Sequence, residues 1–141
     1  GRLAGGLFHY LVKLPTQKKY SIAISVYILL SVIEGVMLFM PFLSMIALNF
    51  AGGFLAVNSF NIRISGTQNY LPDSVRGRFN ATFLLVTNAG SIIGQLIAGN
   101  LGDIIYKPYL ALGAMVFNLI AVFAIILKEQ KHIKPIYNSS K

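Results

Sequence analysis

Glu34 is the residue with the plainest chemical potential in this chain, because it is the single Asp, Glu, Lys, Arg or His in the 42-residue run Ser21–Ile62. An ionisable group inside such an apolar run is by default a functional position, commonly one that couples to protons. The competing reading is structural. Glu34 lies six residues before Met40, roughly 9 Å along a helix, so its carboxyl can reach toward water at that end. This nearness favours a structural or snorkelling role over coupling. Amides and hydroxyls are the next candidates: Asn49, Asn58 and Ser59 in one apolar stretch, and Thr87, Asn88, Ser91 and Gln95 in another. Asn88, Ser91 and Gln95 follow at spacings of three and four, which puts them on one helix face. Such groups need partners or water in hydrocarbon, so they either line a wet cavity or bond helix to helix.

Other chemistries are excluded by what the chain lacks. With no cysteine there is no disulfide, thiolate nucleophile or Cys-ligated zinc. His9 and His132 stand far apart beside basic neighbours, which argues against a metal cluster, and no metal or cofactor is expected. Neither a phosphate loop, a nucleophile triad nor paired carboxylates occur, so an ATP-driven pump or a hydrolase is not expected within these residues, and the chain is not read as an enzyme. The net charge of +8 comes from twelve Lys and Arg in short clusters rather than a basic stripe, so nucleic acid is not an expected partner.

The elements that must position these groups follow from composition. Of 141 residues, 55% are apolar and 11% charged, with a mean hydropathy of +0.68. Ordinary soluble domains carry about 25% charged residues, so this balance predicts an integral membrane protein. The run Ser21–Ile62 would extend roughly 63 Å as helix, about twice a ~30 Å hydrocarbon core, so it must cross twice. Pro41 lacks the N–H that a continuing helix needs and marks the break. The predicted spans are about 21–40, 41–64, 79–102 and 108–127, with a tail 128–141. Residues Gly1–Leu14 are too short to cross and read as the inner end of a preceding helix. A soluble bundle would need polar helix faces, and a β-barrel would need period-two segments; neither pattern is present.

Orientation follows from the basic residues. Residues 1–20 hold Arg2, Lys13, Lys18 and Lys19; the Met40–Pro41 turn holds none; 63–78 hold Arg63, Arg76 and Arg78; 103–107 hold Lys107; the tail holds four. Short basic segments stay cytoplasmic, so both chain ends are expected on the cytoplasmic side. The glycosylation-like triplets starting at Asn80 and Asn138 fall on that same side, where the modification does not occur. The basic tail reads as a stop-transfer flank with a loose end that could touch anionic headgroups.

Two further patterns have a physical reading. Arg63, Arg76 and Arg78 bracket an expected loop and can pair with Asp73 and nearby carbonyls, tying two helix ends together; equally, they are ordinary topology-setting charges. Gly90, Gly94, Ala98 and Gly102 recur every four residues, a face that lets another backbone approach, either for static packing or for rocking.

Together, Arg63-Ile-Ser-Gly-Thr-Gln-Asn-Tyr-Leu-Pro-Asp-Ser-Val-Arg-Gly-Arg and the following N-x-G-x3-G-x4-G-x-L-G-D resemble helix eleven, and the loop before it, of major facilitator superfamily transporters. The branch in view is that of macrolide-efflux and siderophore-exporter permeases. Gly1-Arg2-Leu3-Ala4-Gly5-Gly6-Leu7 resembles a degenerate G-x-L-A-D loop motif, with Gly5 in place of the acid. The resemblance implies a twelve-helix fold of which this chain is the end of helix eight through helix twelve, in a bacterial plasma membrane. It also implies proton-coupled efflux of a small amphipathic compound, with the N-terminal part of the same transporter as partner. Under it Asn49, Asn58, Asn88, Ser91 and Gln95 are substrate-cavity candidates, and Arg63, Gln68, Asp73, Arg76 and Arg78 gate candidates. Glu34 falls on the peripheral helix nine. The alternative is a small four-span membrane protein that acts as an accessory subunit and carries no substrate.

Overall fold

The computed structural model describes residues 1–12 and 15–138. All its regular elements are helical, with no strand among the described residues. They are α1 (Arg2–Leu11), α2 (Lys19–Val36, tightening to a 3-10 turn over Met37–Phe39), α3 (Phe42–Tyr70), α4 (Asp73–Gly102), α5 (Lys107–Ala121, widening to a π-helical stretch over Val122–Leu127) and α6 (Gln130–Tyr137). Among the described residues, four helical stretches are long and apolar enough to cross a membrane: Lys19–Phe39, Phe42–Tyr70, Asp73–Gly102 and Lys107–Leu127.

Proline chemistry sets three of the boundaries. Pro41 and Pro72 are the N-caps of α3 and α4 in extended backbone, and Pro108 sits in the first turn of α5, where a missing N–H costs nothing. Between α3 and α4 only Leu71 and Pro72 are non-helical. The expected loop over 63–78 is therefore mostly helix. No proline precedes Pro72 in this stretch, Gly66 costs a helix only about 1 kcal/mol, and clustered charge alone does not interrupt a helix. At about 1.5 Å per residue, α3 and α4 each run to roughly 45 Å, well beyond a ~30 Å core.

α2 occupies the centre, with α3 on one side and α5 on the other; α1 packs along α3, and α6 folds back onto α3. The α2–α5 seam is closed by small residues: a Cβ added at Gly35 would lie 2.7 Å from Met115 Cβ. Ser31, one turn before it, is 1% exposed. α4 differs from all of these. It contains no buried residue, and its main tertiary neighbour is α5, which follows it.

The helices sort charge by end. Lys19 Nζ donates to Ser65 Oγ (3.4 Å), and Tyr20 and Asn138 meet nearby, so the starts of α2 and α4 and the ends of α3 and α5 form one basic end. Phe39 and Tyr109, with ring centroids 6.1 Å apart, mark the other. Lys13, one of the charges used to predict orientation, lies outside the described residues.

Candidate functional site

The polar groups fall into separate places. Between α1, α2 and α3 lies a cavity of about 300 Å³ whose lining includes Arg2, Glu34, Asn49, Gly52 and Gly53. α1 runs alongside the middle of α3: a Cβ at Gly53 would be 3.3 Å from the Arg2 backbone nitrogen, and one at Gly5 would meet the Phe54 carbonyl at 2.6 Å. This placement corrects the expectation for Arg2. Rather than joining the basic end, it stands level with Gly53, twelve residues or roughly 18 Å along α3 from Pro41. The G-x-L-A-D-like stretch is likewise helix packed on a helix, where the resemblance implies a loop. Asn49 Nδ2 donates to the Met45 carbonyl (3.0 Å) and lies 3.3 Å from Met37 Sδ. No ion pair within 4 Å joins Arg2 to Glu34 among the described residues.

At the basic end the arginines divide their roles. Arg63 is not on Asp73: its guanidinium lies over the Phe83 ring, 3.9 Å from the centroid, and 5.2 Å from that of Phe60. A cation over an aromatic face contributes about 0.5–2 kcal/mol, more as water is excluded. Asp73 instead pairs with Arg76 at 2.6 Å within the first turn of α4, and Arg76 also donates to the Leu71 carbonyl (3.3 Å). This local brace closes the Leu71–Pro72 corner. Gln68 and Asn80 line a cleft of about 190 Å³ beside Arg63, while Arg78 is exposed.

The remaining amides do not converge. Asn58 is 6% exposed; its Nδ2 donates to the Phe54 carbonyl (2.8 Å), and a Cβ at Gly5 would come within 3.2 Å of it, so it packs toward α1 and not toward α4. Asn88, Ser91 and Gln95 are exposed on α4, where Gln95 Nε2 donates to Ser91 Oγ (3.1 Å). A Cβ at Gly90, Gly94 or Gly102 would meet open space, and Ala98 is exposed. The small-residue face therefore has no partner within the described residues.

Two polar connections carry no mark in the sequence reading. Asn118 Nδ2 donates to Ser31 Oγ (2.9 Å), which donates to the Tyr27 carbonyl (2.8 Å), bonding α5 to α2. A lone amide within the uncharged run Pro108–Leu127, set against the one-turn series Tyr27, Ser31, Gly35, is the signal that could have found it. The second is α6, which is docked and not a loose end. The Tyr27 and Tyr137 hydroxyls are 3.1 Å apart, Tyr20 donates its hydroxyl to the Ile126 carbonyl (2.8 Å), and both amide atoms of Asn138 are engaged, by the Tyr20 N–H (3.1 Å) and the Gln17 carbonyl (3.0 Å). A Cβ at Gly66 would lie 2.9 Å from the Ile136 carbonyl. Burial, and then the neighbouring Tyr27, push the Tyr137 phenol well above its ordinary range and keep it neutral.

No family model, curated protein or solved structure matches this chain.

Proposed function

We propose that the chain belongs to a secondary transporter of the major facilitator type that moves a small amphipathic compound across a bacterial plasma membrane, with protons as the coupling ion. The observation that carries this reading is α4: an apolar helix of 30 residues with small residues every fourth position, a Ser91–Gln95 hydrogen bond on its surface and nothing buried. A helix that mixes apolar, small and amide groups and leaves its small-residue and amide faces uncovered among the described residues suits the wall of a cavity completed by further helices. The concentration of Lys and Arg at one end of the bundle supports a cytoplasmic placement of that end and of the C-terminus. The resemblance around Arg63–Arg78 and Asn88–Asp103 supports the choice of family.

The same open face supports a second reading, an accessory four-span protein whose α4 docks on a partner complex. Probing source membranes with an antibody to Lys128–Lys141 separates the two. A polypeptide near ~45 kDa, room for about twelve spans, together with efflux of a fluorescent amphipathic amine that stops when the pH gradient is collapsed, is the expected result. A 15.4 kDa chain that co-purifies with a larger assembly and moves nothing overturns the transporter reading.

A further inference from the structure

We propose that His9 and Asn58 form a proton-binding site in the seam between α1 and α3, where uptake of one proton by the His9 imidazole closes the contact between the two helices. As the place that carries a coupling proton this rests on the transport reading; as a proton site it is tested without transport.

The seam has a regular register. A Cβ at Gly1 would meet the Phe50 carbonyl and one at Gly5 the Phe54 carbonyl, so α1 and α3 run side by side at a constant offset. One turn further, the same offset sets His9 level with Asn58. Each of these two residues holds a buried side-chain atom without a hydrogen-bond partner, Nδ1 of His9 and Oδ1 of Asn58. Among the described residues one other such atom occurs, Arg76 Nε, at the Leu71–Pro72 corner. Buried polar atoms are ordinarily paired, so two orphans at one level of one seam point to a shared missing participant. Both are already sealed by this chain's own helices, so neither is the product of an open edge.

The chemistry of the two atoms identifies the participant. Asn58 Nδ2 donates to the Phe54 carbonyl, which can only accept, and this fixes the amide with Oδ1 as the free group. With its hydrogen on Nε2, a neutral imidazole presents Nδ1 as an acceptor as well, and two acceptors cannot answer each other. A proton on Nδ1 makes it a donor and satisfies both. Gly5 permits the closeness: its missing Cβ would stand 3.2 Å from Asn58 Nδ2.

No acid is supplied by the elements around the site. On α1 the other ionisable residues are Arg2, two turns earlier, and Tyr10; α3 has none from Phe42 to Ile62, and its Arg63 turns to the Phe83 ring. On α2, Lys19 is bonded to Ser65, Tyr20 to the Ile126 carbonyl and Tyr27 to Tyr137, while Glu34 lines the space beside Gly52. An amide oxygen answers the imidazolium with a hydrogen bond and no countercharge, so the proton can be given up again. Asn58 stands seven residues, roughly 10 Å, from Ser65 at the basic end, the side from which the proton arrives.

The test is nitrogen-15 NMR of the full-length protein in lipid nanodiscs, labelled at histidine, with the His9 signals assigned by their loss in His9→Gln. Imidazole nitrogen shifts separate the two neutral tautomers from the imidazolium. Between about pH 8 and pH 5, where histidines change charge, His9 is expected to pass from the neutral ring with hydrogen on Nε2 to the imidazolium. Asn58→Asp should move that change to higher pH by at least about one unit, and Asn58→Leu, which removes the acceptor without adding a charge, should move it to lower pH. A ring that stays neutral throughout, bridged by a water or by an Nδ1–H tautomer, overturns the site, as does a change that ignores both Asn58 variants. A His9 that titrates as expected in a protein that moves no compound across a vesicle membrane keeps the site and sinks the transport reading. Efflux driven by a pH gradient and unaltered in His9→Gln keeps transport and overturns the coupling role.

Discussion

α2 and α4 are both apolar helices of spanning length, and both carry small residues one turn apart, yet they have opposite fates. On α2, Ser31 and Gly35 are closed against Asn118 and Met115. On α4, Gly90 and Gly94 face open space. The difference teaches that small-residue spacing marks where a backbone can be approached, and that only a complementary group opposite turns it into a seam. α2 has its complement in this chain, a bulky thioether and a hydrogen-bonding amide. α4 has none among the described residues.

The largest effect should come from filling these two faces in turn. Gly35→Leu forces a side chain into Met115 and should cost several kcal/mol, read as loss of the monodisperse folded protein in detergent or a large drop in its melting temperature. Gly94→Leu meets open space and should leave the melting temperature of the α2–α5 seam within experimental scatter; an equal loss of folding from both would break the contrast. Next in size, Phe83→Leu removes the ring under Arg63 and should weaken the hold of α4 on α3 by about 1–2 kcal/mol, read as a broader distribution of distances between spin labels near the middles of the two helices. A distribution as narrow as the parent's would mean that the Asp73–Arg76 brace alone fixes the corner. Asn118→Leu should destabilise the seam by about 0.6 kcal/mol and at most about 1.7, the average and the maximum for interhelical hydrogen bonds in membranes.

The smallest effect concerns α6. Tyr137 has a folded-state pKa raised above the ~10 of an unfolded tyrosine, so its contribution is complete below pH 10 and is lost as pH rises beyond it. Docking of α6, followed by protection from a protease, should therefore weaken in strong alkali, and Tyr137→Phe should shrink that dependence. An unchanged alkaline profile in the variant would assign it to another group.

Four long apolar helices and a turn at Pro41 follow from the lengths of uncharged runs and from proline's missing N–H, both local properties. What was not legible was any property that depends on neighbours. Arg2 and Lys13 looked alike as basic residues before the α2 start, but only the packing of Gly5 on Phe54 sets Arg2 against the middle of α3. Arg63 carried the charge for Asp73, yet the two stand at different heights around the Leu71–Pro72 corner, and an aromatic face was nearer. Asn58 and Gln95 are chemically the same kind of residue, each within a helix long enough to span. Asn58 is sealed beside Gly5 and Gln95 is exposed, because side-chain type specifies a need for a partner without saying where it stands.

The short connections at both ends of α4 have a mechanical consequence. Leu71–Pro72 ties it to α3 and the four residues Asp103–Tyr106 tie it to α5, while its middle is ungripped. A rod pinned at both ends cannot easily translate, but it can turn about its own length like a crankshaft. A turn of about 100° would bring the Ser91–Gln95 strip to where Gly90 and Gly94 stand. Cysteines introduced at Gln95 and at Gly94, both exposed positions, should therefore both react with a thiol reagent in detergent.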